Sequence, residues 1–223
     1  MNGHIGSDKK LTILIVLLSN FVFFLSVILL FALVPGSRFW NQQSHDEVEY
    51  KFDQGVEAAA EPNRNMVSSL KNMSTTQILR TLAVNQKEPS NGSPIARLEI
   101  PAIDCEVIIV EGSGNDSMDL GAGHLEGTPL PGNGGNFAVA ADRYVGAAPF
   151  KNLEKIKSGD NLDLMTTYGR FEYEVNNIFT VKPEDVQVLE PVGFETITLI
   201  TTDPSGRLIV RGRLVQANLL DNT

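Results

Sequence analysis

One thiol, three imidazoles and two short runs, Ala140-Ala141-Asp142-Arg143 and Thr198-Leu199-Ile200-Thr201-Thr202, are where this chain could do chemistry. The thiol, Cys105, lies in Asp104-Cys105-Glu106-Val107-Ile108-Ile109-Val110, an apolar run that reads as a strand. A nucleophilic cysteine needs a basic neighbour to lower its pKa, and Asp104 and Glu106 act in the opposite sense. A small buried residue is therefore expected there. One cysteine also excludes an intrachain disulfide and any multi-cysteine zinc site. His4 and His45 fall outside the segment that reads as folded, and His124 follows Gly123 in a glycine-rich loop, where a structural role is expected. No histidine cluster is left for a transition metal. Gly112-Ser113-Gly114-Asn115-Asp116 and Pro131-Gly132-Asn133-Gly134-Gly135-Asn136 do not lead from a strand into a helix carrying Lys-Ser/Thr, so they are turns rather than phosphate cradles. Glu111, Asp116 and Asp119 lack the spacing of a calcium loop. No cofactor is expected.

The elements that must position these groups begin at the N-terminus. Leu11 to Val34 is uncharged and rich in Leu, Ile, Val and Phe. As a helix it spans roughly 36 Å, enough for a hydrocarbon core of ~30 Å. A cleaved signal peptide has a shorter apolar core of ~7–15 residues, so a retained transmembrane anchor is expected. Lys9 and Lys10 precede the span, and only Arg38 follows closely before Asp46, Glu47 and Glu49. The positive-inside rule puts residues 1–10 in the cytoplasm, 11–34 across the plasma membrane, and the rest outside. Residues 35–94 are polar, with a weak helical period over Met66–Val84, and read as an extracytoplasmic tether. The whole net charge of −9 lies beyond residue 90, since residues 1–90 hold eight Lys+Arg and eight Asp+Glu. An acidic domain repels phosphate backbones, so no nucleic-acid partner is expected.

From Ile95 the pattern changes to short apolar or alternating runs bounded by turn residues. The expected strands are Ala96–Ile100, Cys105–Val110, Phe137–Ala141, Asn161–Thr166, Phe171–Phe179, Thr196–Thr201 and Leu208–Val215. Ser158-Gly159-Asp160 and Tyr168-Gly169 are expected hairpin turns, and Ser117–Leu120 and Phe150–Ile156 short helical pieces. An all-β domain with short helices, a barrel or sandwich, follows over residues 95–216, with 217–223 as a tail.

Motif order narrows this further. Gly121-Ala122-Gly123-His124 leads to Thr128-Pro129-Leu130-Pro131-Gly132, then Gly135-Asn136-Phe137-Ala138-Val139-Ala140-Ala141-Asp142-Arg143. Pro149-Phe150, Ser158-Gly159-Asp160, Phe171-Glu172-Tyr173-Glu174-Val175, Thr198-Leu199-Ile200-Thr201 and Arg207-Leu208-Ile209-Val210 follow in turn. Over residues 95–216 this order resembles the sortase family, with similarity to its class C and D branches. The resemblance implies an eight-stranded β-barrel. It also implies a membrane-bound transpeptidase in which a cysteine thiolate attacks a sorting-motif peptide, a histidine handles protons and an arginine stabilises the oxyanion.

Two of those three side chains are replaced. The family's Ala-Gly-His-Arg reads here Ala140-Ala141-Asp142-Arg143, and Thr-Leu-x-Thr-Cys reads Thr198-Leu199-Ile200-Thr201-Thr202. Only Arg207 is retained. A free thiol is already a few per cent thiolate at neutral pH, whereas an alcohol needs a strong adjacent base that an ordinary carboxylate, with pKa ~4, does not supply. Asp203-Pro204-Ser205-Gly206 is also a tight-turn sequence where relatives carry a longer loop, so a plain hairpin is expected. Asp142 and Arg207 are expected to face each other as an ion pair. These readings lead to a membrane-anchored pseudo-sortase that binds an extended peptide or serves in cell-envelope assembly. The alternative is an active transpeptidase or hydrolase using Thr202 or an unrecognised nucleophile.

Overall fold

Alternation with period two makes each strand two-faced, and eight such strands close on themselves. The computed structural model describes residues 44–58, 73, 77, 81, 88–144 and 147–219. Its strands are β1 (Pro94–Ile100), β2 (Cys105–Glu111), β3 (Ala122–His124), β4 (Asn136–Ala140), β5 (Asn161–Thr166), β6 (Gly169–Val181), β7 (Thr196–Asp203) and β8 (Gly206–Leu219). They form a closed barrel in the order β1-β2-β3-β4-β7-β8-β6-β5, with β5 pairing back onto β1. β2 runs parallel to β3 and β4 parallel to β7; the other pairs are antiparallel. Inward positions such as Leu98, Ile109, Phe137, Leu164, Tyr173 and Leu199 make one core. Gly212 sits where inward side chains crowd the wall: a Cβ there would lie 2.9 Å from Leu162 and 3.1 Å from Ile197.

Seven strands fall where alternation places them. The eighth, β3, lies in the stretch read from sequence as a glycine-rich loop. Its glycines mark close backbone approach rather than a turn, because a Cβ on Gly123 would come within 2.4 Å of the Gly112 carbonyl. Asn115–Leu120 forms the short helix α2, preceding β3. The piece expected over Phe150–Ile156 is a single 3-10 turn at Leu153–Lys155. Ser158-Gly159-Asp160 is not a hairpin turn between strands. It leads from that 3-10 turn into β5 and is bonded to Val175 of β6 through Gly159 N–H (2.8 Å).

The interval read as a tether also differs. Residues 44–58 form a helix, α1, seated on the outside of β2. Val48 and Phe52 are buried there against Ile108 and Val110, with Val56 beside them. The spacing i, i+4, i+8 is one apolar stripe on a helix, a signal that charged neighbours mask in composition. α1 and the barrel belong to one compact unit, and Gly92 and Ser93 already bond Glu111 of β2 before β1 begins. The Met66–Val84 helical period falls almost wholly outside the described residues. So does the expected membrane span 11–34. Among the described residues no helix is long and apolar enough to cross a membrane.

Candidate functional site

Parallel pairing decides where the site lies. β4 and β7 run the same way with Ala140 opposite Ile200, so both strands exit at one end of the barrel. Asp142 follows two residues beyond Ala140, and Thr202 two beyond Ile200. The Ala141 N–H still bonds the Ile200 carbonyl (3.2 Å), and the Thr201 hydroxyl donates to the Ala141 carbonyl (2.8 Å). β8 starts at this same end, where Thr202 stands directly opposite Arg207. All three positions predicted from sequence are therefore brought to one rim. Thr202 and Arg207 are exposed and Asp142 is half-buried.

The turn behind them is the expected plain hairpin. Asp203 pairs with Gly206, leaving Pro204 and Ser205 as its tip. Asp203 Oδ1 accepts from the Ser205 N–H (2.9 Å) and the Ser205 hydroxyl. Those bonds, the hydroxyl first and then the N–H, hold the Asp203 carboxyl below the usual carboxylate range, helped by the nearby Arg143. Gly206 has φ +151°, and a Cβ there would meet the Val181 carbonyl, so the short turn requires glycine.

The ion pair expected between Asp142 and Arg207 is not among those of the described residues. Another pair forms at the same rim: Arg143, next to Asp142, reaches Asp203 Oδ2 (3.4 Å) and Glu154 Oε2 (2.9 Å), and lies over the Tyr144 ring (5.3 Å). The reason is alternation. Thr202 and Asp203 are consecutive in β7 and point to opposite sides, so Arg143 meets Asp203 on the side away from Thr202 and its partner Arg207.

Below the rim, the outer face of β4, β7 and β8 carries Ala140, Thr198, Ile200, Ile209 and Arg211. The β6–β7 connection lies across it at the 3-10 turn Gln187–Leu189. Val188 packs on Ile200 and Ile209, with Leu125, Phe179 and Leu189 around them. Its carbonyl accepts from Asn136 Nδ2 (2.9 Å) and Arg211 Nη2 (2.8 Å), while Asn136 Oδ1 accepts from the hydroxyls of Thr198 (2.6 Å) and Thr196 (3.1 Å). This buried network leaves every group of Asn136 partnered and fixes the connection over the strands. Sequence reasoning missed Asn136, Val188 and Arg211. The available signal was an asparagine and an arginine interrupting otherwise apolar strand runs.

The other reactive groups lie elsewhere. His124 is buried, with Nδ1 at 2.8 Å from Glu111 Oε2, Nε2 at 2.9 Å from the Thr128 hydroxyl, and its ring stacked on Phe137. It ties β3 to β2 and to the following turn. Cys105 starts β2, whose neighbours are β1 and β3, and its thiol donates to the Pro149 carbonyl (3.3 Å). Burial, with smaller contributions from Asp104 and Glu106, pushes that thiol up to about 11. At pH 8 roughly a thousandth of it is thiolate. Labelling with a disulfide reagent at pH 8 should run at least about 100-fold slower than for a free thiol, and should accelerate until pH nears 11. Stoichiometric labelling within minutes at pH 8 would contradict this placement. Among the described residues no three His, Cys, Asp or Glu side chains are grouped to hold a metal ion.

Comparison with known proteins agrees with this geometry. The family model described as "Sortase domain" matches residues 98–215. "Sortase A" of Streptococcus agalactiae serotype III (strain NEM316) is 29% identical over 214 residues, covering 87% of this chain and 85% of that protein. "Sortase D" of Bacillus subtilis (strain 168) is 30% identical over 102 residues, covering 46% of this chain and half of that relative's length. Among solved structures, Streptococcus pneumoniae Sortase C is 28% identical with a TM-score of 0.60, covering 79% of this chain and 100% of that one.

Proposed function

The chain belongs to the sortase family, and from that premise we infer that it is a membrane-anchored, extracytoplasmic member that holds an extended peptide without cleaving it. One observation carries the reading. The rim that gathers the three family positions presents a carboxylate, a hydroxyl and a guanidinium, while the protein's one thiol is on β2 with its pKa near 11. Peptide bond exchange needs a nucleophile that is substantially deprotonated at neutral pH and a group able to protonate the leaving amine. Neither a mid-chain threonine hydroxyl nor an aspartate fills those roles. What remains is recognition: Arg207 and Thr202 are exposed and offer hydrogen-bond donors at the rim, beyond the part of the strand face that Val188 covers. Anchoring rests on the uncharged stretch Leu11 to Val34 and the lysines before it.

The test is turnover. Full-length protein in detergent is incubated with sorting-motif peptides and an amine, and products are followed by mass spectrometry. No transpeptidation or hydrolysis above background, together with saturable peptide binding weakened by Arg207→Ala, supports the reading. Turnover abolished by Thr202→Ala establishes the alternative, an active enzyme with an alcohol nucleophile. Absence of both turnover and binding removes the peptide-holding role.

A further inference from the structure

Two Asn-Gly steps fall within the described residues, Asn91-Gly92 and Asn133-Gly134, alike in sequence and different in surroundings. An asparagine before glycine has a reaction of its own. The glycine nitrogen attacks the side-chain amide carbon, and without a Cβ on the glycine nothing screens the approach. The step needs a side chain free to turn and a base for the backbone N–H, which is a very weak acid. Asn91 has neither. Its Oδ1 accepts from the Ser117 hydroxyl (3.1 Å), and the Gly92 N–H donates to the Glu111 carbonyl (2.9 Å), an acceptor too weak to take the proton.

Asn133-Gly134 lies in the loop before β4, at the end of the barrel where β4 and β7 begin and thus opposite the rim. Asn133 is exposed, and its side chain takes part in no hydrogen bond among the described residues. Its N–H bonds the Leu130 carbonyl (3.1 Å), so the main chain is held while the amide is free. Gly134 has φ +74°, and the space where a Cβ would stand is open. Glu195, just before β7, meets this loop. Its Oε1 accepts from the Gly132 N–H (2.7 Å), and its carboxylate also accepts from the Gly134 N–H. The titratable group facing it is the wholly buried Tyr173, whose hydroxyl donates to Oε1 at 3.4 Å. Beside that lies Tyr168, donating to the Pro131 carbonyl (2.9 Å). Burial, partly offset by the bonds from Gly132, Tyr173 and Gly134, raises the Glu195 carboxyl above its ordinary value. Its ionised form is accordingly the stronger base.

We propose that Asn133 closes on itself to a succinimide, with the Gly134 nitrogen as nucleophile and the Glu195 carboxylate as its base. The Gly134 N–H proton passes to Glu195 as the nitrogen bonds to Asn133 Cγ. The Cγ–Nδ2 bond then breaks, and the leaving nitrogen takes that proton back and departs as ammonia. Water opens the imide at either carbonyl. One product is aspartate at 133; the other is a β-linked isoaspartate, which lengthens the main chain by a methylene shortly before Asn136. The change therefore bears on the residue whose Nδ2 holds the Val188 carbonyl over the strand face (2.9 Å). None of Asp142, Thr202 and Arg207 takes part, so the site stands whether or not the rim binds a peptide.

To test this, full-length protein in detergent is held at neutral pH, sampled over days and digested. Mass spectrometry follows loss of ammonia at each Asn-Gly step, and isoaspartate-specific methyl transfer counts the rearranged product. Asn133 should convert at least about ten-fold faster than Asn91, and a folded Glu195→Gln variant should convert at Asn133 at least about ten-fold more slowly than wild type. The pH profile of the wild type separates an internal base from solvent hydroxide without any substitution. An ionised carboxylate gives a rate at Asn133 nearly flat from about pH 7 to about pH 9, whereas hydroxide raises it about ten-fold per pH unit. Equal conversion at Asn91 and Asn133, a rate at Asn133 that climbs with hydroxide, or one unchanged or raised in folded Glu195→Gln overturns the assignment.

Discussion

The double variant Asp142→His/Thr202→Cys should form a covalent adduct with a sorting-motif peptide bearing an electrophilic carbonyl, at a rate at least about 10³-fold above the wild-type background. Both positions stand on the rim, and Thr202 is exposed, so its replacement disturbs no packing. The third group is already present, since Arg207 is directly across from Thr202 in the hairpin register. A cysteine at 202 brings a thiol with an ordinary pKa of ~8.5, unlike the half-buried Cys105, and a histidine at 142 brings a base near neutrality. The single variant Thr202→Cys should label slowly, lacking its proton acceptor. The measurement is intact mass after incubation, with melting temperature and circular dichroism checked against wild type. A folded double variant that forms no adduct would show that the strand face is closed to peptides as well. The cover is then the place to look, because Val188 and Leu189 lie over Ile200 and Ile209.

Phe52→Ala should release α1 from the barrel while leaving the barrel folded. Phe52 is 1% exposed, packed among Val48, Ile108 and Val110 and roofed by the Arg97 guanidinium. Truncating a buried phenylalanine costs ~3–5 kcal/mol, against less than ~1 kcal/mol for an exposed ion pair. The ion pairs of Arg97 with Glu49 and Asp53 involve carboxylates that are 53% and 57% exposed, so they do not rescue the helix. Hydrogen exchange of residues 44–58 should speed up by ~100-fold, with strands β4, β7 and β8 unchanged. Asp53→Asn should change the same readout by less than five-fold. If the order of the two variants were reversed, the polar clamp rather than apolar burial would hold α1.

The strand pattern was legible because its cause is local. Inward Leu98 and Ile100, and inward Ile197 and Leu199, announce a two-faced strand within a few residues. β3 was not legible, since three residues with a central glycine carry no alternation to read. The hairpin at Pro204-Ser205 was legible from turn stereochemistry, although the requirement for glycine at 206 comes from the Val181 carbonyl on another strand. Motif order singled out Asp142, Thr202 and Arg207, and their gathering at one rim follows from the parallel pairing of β4 with β7 and the hairpin to β8. Their pairing could not be read. Arg143 and Asp203 are 60 residues apart, and which arginine meets which carboxylate is decided by a one-residue difference in facing.

What the amino-acid order determined by itself is the chemical inventory: one thiol flanked by carboxylates, an aspartate at 142 and a threonine at 202, and the tight-turn sequence Asp203-Pro204-Ser205-Gly206 before Arg207. Composition and side-chain acidity settle these without any fold. The tertiary structure alone decided that α1 is seated on β2, that Val188 covers the outer strand face through Asn136 and Arg211, and that Arg143 takes the ion pair. Each of those depends on groups 23 to 60 residues apart meeting at distances near 3 Å. Contacts over such separations are fixed by barrel closure and strand register, which no local stretch of sequence encodes.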